Sequence, residues 1–404
     1  MKILNSVFFF FLAQAAHGWC ESSKGEPLVV AEKFSIYSDV LNEDRAYWVS
    51  LPPGYNDDIY AKANYPVIYV LDGDWYASLT SSMIANMASW GYKIPYAIVV
   101  NIETVENRFR DFTPTHSLTD ISGSEQPGFS SSGGEDRFLE FLESELIPHI
   151  ETKYRTAPHR TIIGHSLGGL AVAHAFLARP ELFQGYISID GSLWWQDQIL
   201  VEKAQTTLID LKRPKRAYFS ISDHDTIGPK DASNMILGNM RFVEVLNKKK
   251  NLPNLDVKLQ PFDDETHGSV VPLSLYYGLR YVFAGHDQLD VEFANVAQLV
   301  NNYEELSKRF GFKYLPQERF VDFLAGGLSY YFPDDKEKLL LLLKYNVSLY
   351  ATSSNAHGRL ADAYADNGNV TLAIEHYQKA LDLYEGNDTA RKKLEELQHT
   401  KIKR

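Results

Sequence analysis

The feature that most constrains the fold is the stretch Thr161-Ile162-Ile163-Gly164-His165-Ser166-Leu167-Gly168-Gly169-Leu170. A short β-branched run meets Gly-x-Ser-x-Gly, and an apolar, Ala-rich pattern of helical period follows from Leu170 to Ala178. Strand, sharp turn and helix in that order are the setting in which this pentapeptide forms a nucleophile elbow. Gly164 and Gly168 let strand and helix approach closely around a strained turn that exposes the Ser166 hydroxyl. The helix after Ser166 would also aim its first N–H groups at any negative charge developing there. Out of context the pentapeptide says little. At background Gly and Ser frequencies it recurs by chance in roughly one chain in ten of this length.

Strand and helix patterns alternate around the elbow. Residues 33–38 and 45–51 read as alternating strands closed by Pro52-Pro53-Gly54. Tyr65 to Leu71 is a continuous apolar run, as in a strand buried on both faces, and it ends in Asp72-Gly73-Asp74-Trp75. Further strands are predicted over 97–101, 185–190, 216–222 and 256–262, with helices over 76–90, 135–151, 196–211, 231–250 and 270–283. The polar segment 102–134 has no periodicity, and a loop of that length in a compact domain is functional or disordered. The alternation predicts an α/β fold, a mostly parallel sheet covered by helices on both faces.

Beyond residue 288 only helical patterns occur, and they repeat. Ala373 to Leu381 lies 34 residues after Leu339 to Val347, Tyr364 lies 34 after Tyr330, and Ala361 lies 34 after Gly327. That period is the tetratricopeptide signature. It predicts a helical domain over 289–400 with units at 320–353 and 354–387, the first degenerate because Leu339 stands at a small-residue position. Such a tail is expected to lean on the preceding domain or on a second copy, since two units are few for an independent array.

The formal net charge is −12, and Lys248-Lys249-Lys250 is an isolated basic run, so nucleic acid and anionic membranes are poor partners. Lys2, the apolar residues 3–16 and an Ala13-x-Ala15 site predict a signal peptide over 1–18, too short to span a bilayer. The mature chain is expected to be exported, periplasmic or secreted. Cys20 is the single cysteine, which excludes an intrachain disulfide and a thiolate metal site. Trp19 stands where lipidation of Cys20 would need a small residue.

An elbow serine needs a base, and the base needs an orienting acid, in the chain order Ser, Asp/Glu, His. Of the twelve histidines, His267 lies in a polar loop between the last strand and the last helix of the α/β part, where a sheet edge would deliver an imidazole. His224 and His286 fit that order less well, and His165 reads as a packing or elbow-orienting residue. For the acid, Asp225 closes a strand in Ser220-Ile221-Ser222-Asp223-His224-Asp225, with Asp223 as the alternative. The oxyanion of a tetrahedral intermediate needs two N–H donors, each worth about 3 kcal/mol of barrier. The amides of Leu167 and Asp74 are expected to supply them. Trp194 and Trp195 could pack a substrate ring or plug the core. Arg110 could bind a substrate carboxylate or pin its loop through Asp111. No metal or phosphate motif occurs, and no cofactor is expected.

Taken together, the Leu71-Asp72-Gly73-Asp74 turn, Arg110-Asp111-Phe112-Thr113-Pro114, the elbow, Ser192-Leu193-Trp194-Trp195 and Glu265-Thr266-His267 resemble the putative esterase family of α/β-hydrolases. That family includes enterochelin (siderophore) esterases, feruloyl esterases and S-formylglutathione hydrolases. The resemblance covers about residues 30–285. It implies an α/β-hydrolase domain over 27–288 and ester hydrolysis through an acyl-enzyme. Ser166 would be the nucleophile and His267 the base, and Asp225 matches the family acid best. The substrate would be a small-molecule or polymer-linked ester. The same triad could instead transfer the acyl group to another acceptor. In a third reading the repeats are the working part, binding a protein partner or a second copy. No membrane span is expected.

Overall fold

The structure, a computed structural model, describes residues 25–89, 92–223, 229–249, 252–286 and 295–402. The expected signal peptide, Cys20, His224 and Asp225 lie outside the described residues. The strands are β1 (Glu32–Ser38), β2 (Glu43–Ser50), β3 (Tyr65–Val70), β4 (Ile98–Ile102), β5 (Thr156–His165), β6 (Gly185–Ile189), β7 (Lys215–Ser222) and β8 (Leu255–Phe262). They form one sheet in the order β1-β2-β4-β3-β5-β6-β7-β8. β1 and β2 run antiparallel to their neighbours and the rest are parallel. Every residue of β4 and β6 is buried, as is β3 beyond Tyr65, which is what their unbroken apolar runs dictate.

The helices of this part are α1 (Gly73–Ser89), α2 (Arg108–Asp111), α3 (Glu135–Phe141), α4 (Ile147–Lys153), α5 (Leu167–Ala178), α6 (Trp195–Thr206), α7 (Pro229–Lys248) and α8 (Val270–Val282). Apolar side chains of α3, α4, α5, α6 and α7 fill one face of the sheet, and those of α1 and α8 fill the other. This is the α/β-hydrolase arrangement. The predicted helix over 135–151 is broken into α3 and α4 by a π-helical turn at Leu142–Leu146. Pro148 lacks the N–H that would continue the ladder there.

A helical region follows, made of α9 (Val296–Phe310), α10 (Glu318–Tyr331), α11 (Lys336–Leu349), α12 (Ser354–Asp366), α13 (Val370–Leu383) and α14 (Asp388–Ile402). α11 and α13 begin at 336 and 370, and α12 and α14 at 354 and 388. Both intervals are the 34 residues read from the sequence. Phe310, Tyr314, Phe320 and Leu324 share one apolar cluster with Met87, Ile94, Tyr96 and Phe283. Gln317 grips the main chain of Tyr96 at both ends, its Oε1 accepting from Tyr96 N at 2.9 Å and its Nε2 donating to Tyr96 O at 3.1 Å. Arg319 pairs with Asp57 at 2.7 Å, Glu318 Oε2 accepts from Ala61 N at 3.1 Å, and Asn355 N donates to Ile59 O at 2.9 Å. Among the described residues, no helix is long and apolar enough to cross a membrane.

Candidate active site

β5 ends at the elbow, and Ser166 takes φ 60°, ψ −119°, a conformation that costs a non-glycine residue about 1–3 kcal/mol. The surroundings hold it there. Ser166 N donates to Ile189 O at 3.0 Å, and Ser166 O accepts from Ser192 N at 2.9 Å and Leu170 N at 3.0 Å. The glycines are forced by contact: a Cβ on Gly164 would lie 2.2 Å from Gly168 O, and one on Gly169 would lie 2.7 Å from Gly191 Cα. Leu167 is the first residue of α5, so its amide has no intrahelical acceptor. Gly168 abuts the β3–α1 turn, where its Cβ would be 3.4 Å from Asp72 Oδ2. The N-terminus of α1, carrying Gly73 and Asp74, therefore stands beside that of α5. The expected oxyanion donors Leu167 and Asp74 sit on these two termini.

Arg108 fastens the two turns together. Its Nε and Nη2 bond Asp72 Oδ1 and Oδ2 at 2.8 and 3.0 Å, and Nη2 also reaches His165 O at 3.2 Å. The substrate-binding candidate read from the same Arg108–Pro114 run is Arg110, two positions on. Arg110 bonds Glu43 at 2.6 and 2.9 Å and Asp111 at 2.8 Å, so its donors fasten the 102–134 loop to β2 rather than facing the elbow. Its guanidinium, helped by Arg45, holds the Glu43 carboxyl down at about 2 against the desolvation that opposes it.

His267 lies between β8 and α8, as expected. Its Nδ1 is 2.8 Å from Asp190 Oδ2. A carboxylate accepts only, so Nδ1 carries a proton here, and in the neutral form of the ring Nε2 keeps its lone pair. Asp190 is fully buried. It also accepts from Ser222 N at 3.2 Å and Ser222 Oγ at 2.7 Å. It directly follows β6 and is not among the acids expected from the sequence, of which Asp225 lies outside the described residues. The available signal was a strand-end acid, Ile189-Asp190-Gly191, on the strand that neighbours the elbow strand.

The His165 ring packs against that of His267 with centroids 4.4 Å apart and planes tilted by 40°. Its Nε2 is 2.7 Å from the main-chain oxygen of His267, and its Nδ1 is 2.8 Å from the Tyr76 hydroxyl. Burial, with the second imidazole beside it, pushes the His165 pKa down to about 3. The tandem tryptophans part ways. Trp195 is fully buried, packs on Phe129 and donates from Nε1 to Thr115 O at 3.2 Å, so it belongs to the core. Trp194 is half-buried. It borders a cleft of about 590 Å³ with Ile121, Gln196, Asn234 and Arg241. Ser192, two residues earlier, puts its Oγ 3.4 Å from Ser166 Oγ. Among the described residues no cluster of His, Cys, Asp and Glu could hold a metal ion.

Fold and site define an α/β-hydrolase with an elbow serine and a carboxylate-bound histidine. A family model described as "Putative esterase" matches residues 38–267, more than half the chain, and the chain belongs to that esterase family. Ferri-bacillibactin esterase BesA of Bacillus subtilis is 34% identical over 183 residues, 40% of this chain and 59% of that protein. Siderophore triacetylfusarinine C esterase of Aspergillus fumigatus is 26% identical over 189 residues, 44% of this chain and 61% of that one. The chain thus spans about three fifths of the length of these curated relatives. The crystal structure of an IroE-like serine hydrolase from Shewanella oneidensis superposes with a TM-score of 0.69 at 31% identity, covering 79% of this chain and 99% of that one.

Proposed function

We propose that this chain is an exported serine esterase that cleaves carboxylic esters through an acyl-serine, with a siderophore ester or lactone as its substrate class. The observation that carries the reading is a strained, elbow-borne Ser166 in a fold that also holds His267 by a 2.8 Å bond from Nδ1 to the buried Asp190 carboxylate. The substrate class rests on the siderophore esterases among its relatives.

In this reading Nε2 of His267 takes the Ser166 proton as Oγ bonds the ester carbonyl carbon. The carbonyl π pair moves onto oxygen, and the amides of Leu167 and Asp74 hold it. Collapse breaks the ester C–O bond, and the His267 proton leaves with the alcohol. Water then enters, gives its proton to Nε2 and adds to the acyl carbon. Departure of Ser166 Oγ, reprotonated by His267, frees the acid. Asp190 holds the imidazole and stabilises it while charged. The 34-residue spacing supports reading 320–353 and 354–387 as tetratricopeptide units that contact a protein partner or a second copy.

The test is hydrolysis of p-nitrophenyl butyrate by the mature protein beside Ser166→Ala, followed by chromatography of a trilactone siderophore digest. Activity that falls by about 10⁴-fold or more in the variant, with linear products from the lactone, is expected. A folded wild-type protein inert toward both substrates would overturn the esterase and favour the partner-binding reading. Butyrate cleavage with an intact lactone would overturn only the substrate class.

A further inference from the structure

We infer that His165 is a positioning residue: its Nε2–H holds the main-chain carbonyl of His267, Tyr76 fixes its tautomer, and the pair aims the His267 imidazole at Ser166. The inference rests on the esterase reading above. It starts from hydrogen-bond arithmetic. The His267 carbonyl accepts only, so the 2.7 Å contact requires the proton on His165 Nε2. A neutral imidazole then has a bare Nδ1, and the Tyr76 hydroxyl at 2.8 Å must donate to it. Burial keeps the ring uncharged well below neutrality, so donor and acceptor keep their places through the working range.

The need for a second hold follows from where His267 sits. The turn around it is open, with Asp263, Asp264, Thr266, Gly268 and Ser269 exposed. A Cβ on Gly268 would meet nothing within 4 Å. The bond to Asp190 fixes one ring atom. A hydrogen bond to the residue's own carbonyl fixes the main chain, and the His165 ring, 4.4 Å away between centroids, bounds the room beside the imidazole. His165 adjoins Ser166 in sequence, so base and nucleophile are referenced to the same turn.

The experiment uses the full chain carrying His165→Leu, His165→Gln and Tyr76→Phe, assayed on p-nitrophenyl butyrate with folding checked by circular dichroism. Glutamine keeps an N–H donor for the carbonyl and an oxygen for Tyr76. Expected is a fall in kcat of about 10²-fold for His165→Leu with little change in KM, since misplacement of a reacting group by an ångström costs about that much. His165→Gln should recover most of it, and Tyr76→Phe should lie between. Nitrogen NMR of histidine-labelled protein should show His165 as the Nε2–H tautomer at pH 6–8. Wild-type kcat in His165→Leu, no rescue by glutamine in a folded protein, or an Nδ1–H tautomer would each overturn the inference. Loss of the esterase reading would show separately, as an Ser166→Ala variant no slower than wild type.

Discussion

Asp190 sits at φ 44°, a left-handed conformation that bends the chain as it leaves β6 and lets the carboxylate lie along the sheet edge toward Ser222 and His267. Replacing it by asparagine keeps the shape but offers an N–H where the imidazole needs an acceptor. Asp190→Asn should cut kcat by about 10³- to 10⁴-fold with KM nearly unchanged, and Asp225→Asn assayed beside it shows which carboxylate acts as the acid. A larger loss in Asp225→Asn than in Asp190→Asn in steady-state assays would assign the acid to Asp225. Gly164→Ala places a methyl against Gly168 O, and the strand and helix backbones there cannot yield separately. It should lower stability by more than about 2 kcal/mol, seen as a shifted urea midpoint. The elbow and His267 were legible because their cues are local in sequence. Asp190 and Arg108 were not, because what they do depends on which strand ends and turns become neighbours.

Helix ends and joins carry the second scale. Ser353 caps α12 by accepting from Ala356 N at 3.0 Å and donates to Glu318 Oε1 at 2.6 Å, so one hydroxyl ends a helix and ties it to α10. Ser353→Ala should cost about 1–2 kcal/mol in thermal unfolding, more than an isolated exposed cap. Burial raises Glu318 from 4.5 to about 7, against the bonds from Ser353, Asn355 and Ala61 that favour its charged form. Its folded pKa lies above its unfolded one, so the folded state holds the proton more tightly. Stability from this group is therefore full below pH 4.5 and lost as pH rises toward 7, by at most about 3 kcal/mol. Glu318→Gln should flatten that slope, and melting temperatures at pH 5 and pH 8 would check it. The alternating periods gave the elements within a few residues. They missed the run Gln196, Asp197 and Gln198, at φ of 43°, 52° and 67° inside a predicted helix, because three successive left-handed residues have no side-chain signature.

Across the whole molecule, the two halves of the chain share apolar surface. The aromatic side chains of α9, α10 and the segment joining them lie in the cluster that backs α1 and α8, while α12 reaches the 52–64 loop through polar bonds. A fragment of residues 289–404 should therefore unfold without a sharp transition, and a chain ending at 288 should aggregate. A cooperative melt of the isolated fragment by calorimetry would refute that. Period and composition announced the helical tail, but the partner for its apolar stripe could be known only once Tyr96 and Phe283 were placed in space. Arg108 joins three segments distant in sequence, its own loop, the turn after β3 and the elbow. A dicarbonyl reagent that consumes guanidinium groups would then inactivate the enzyme by releasing a turn.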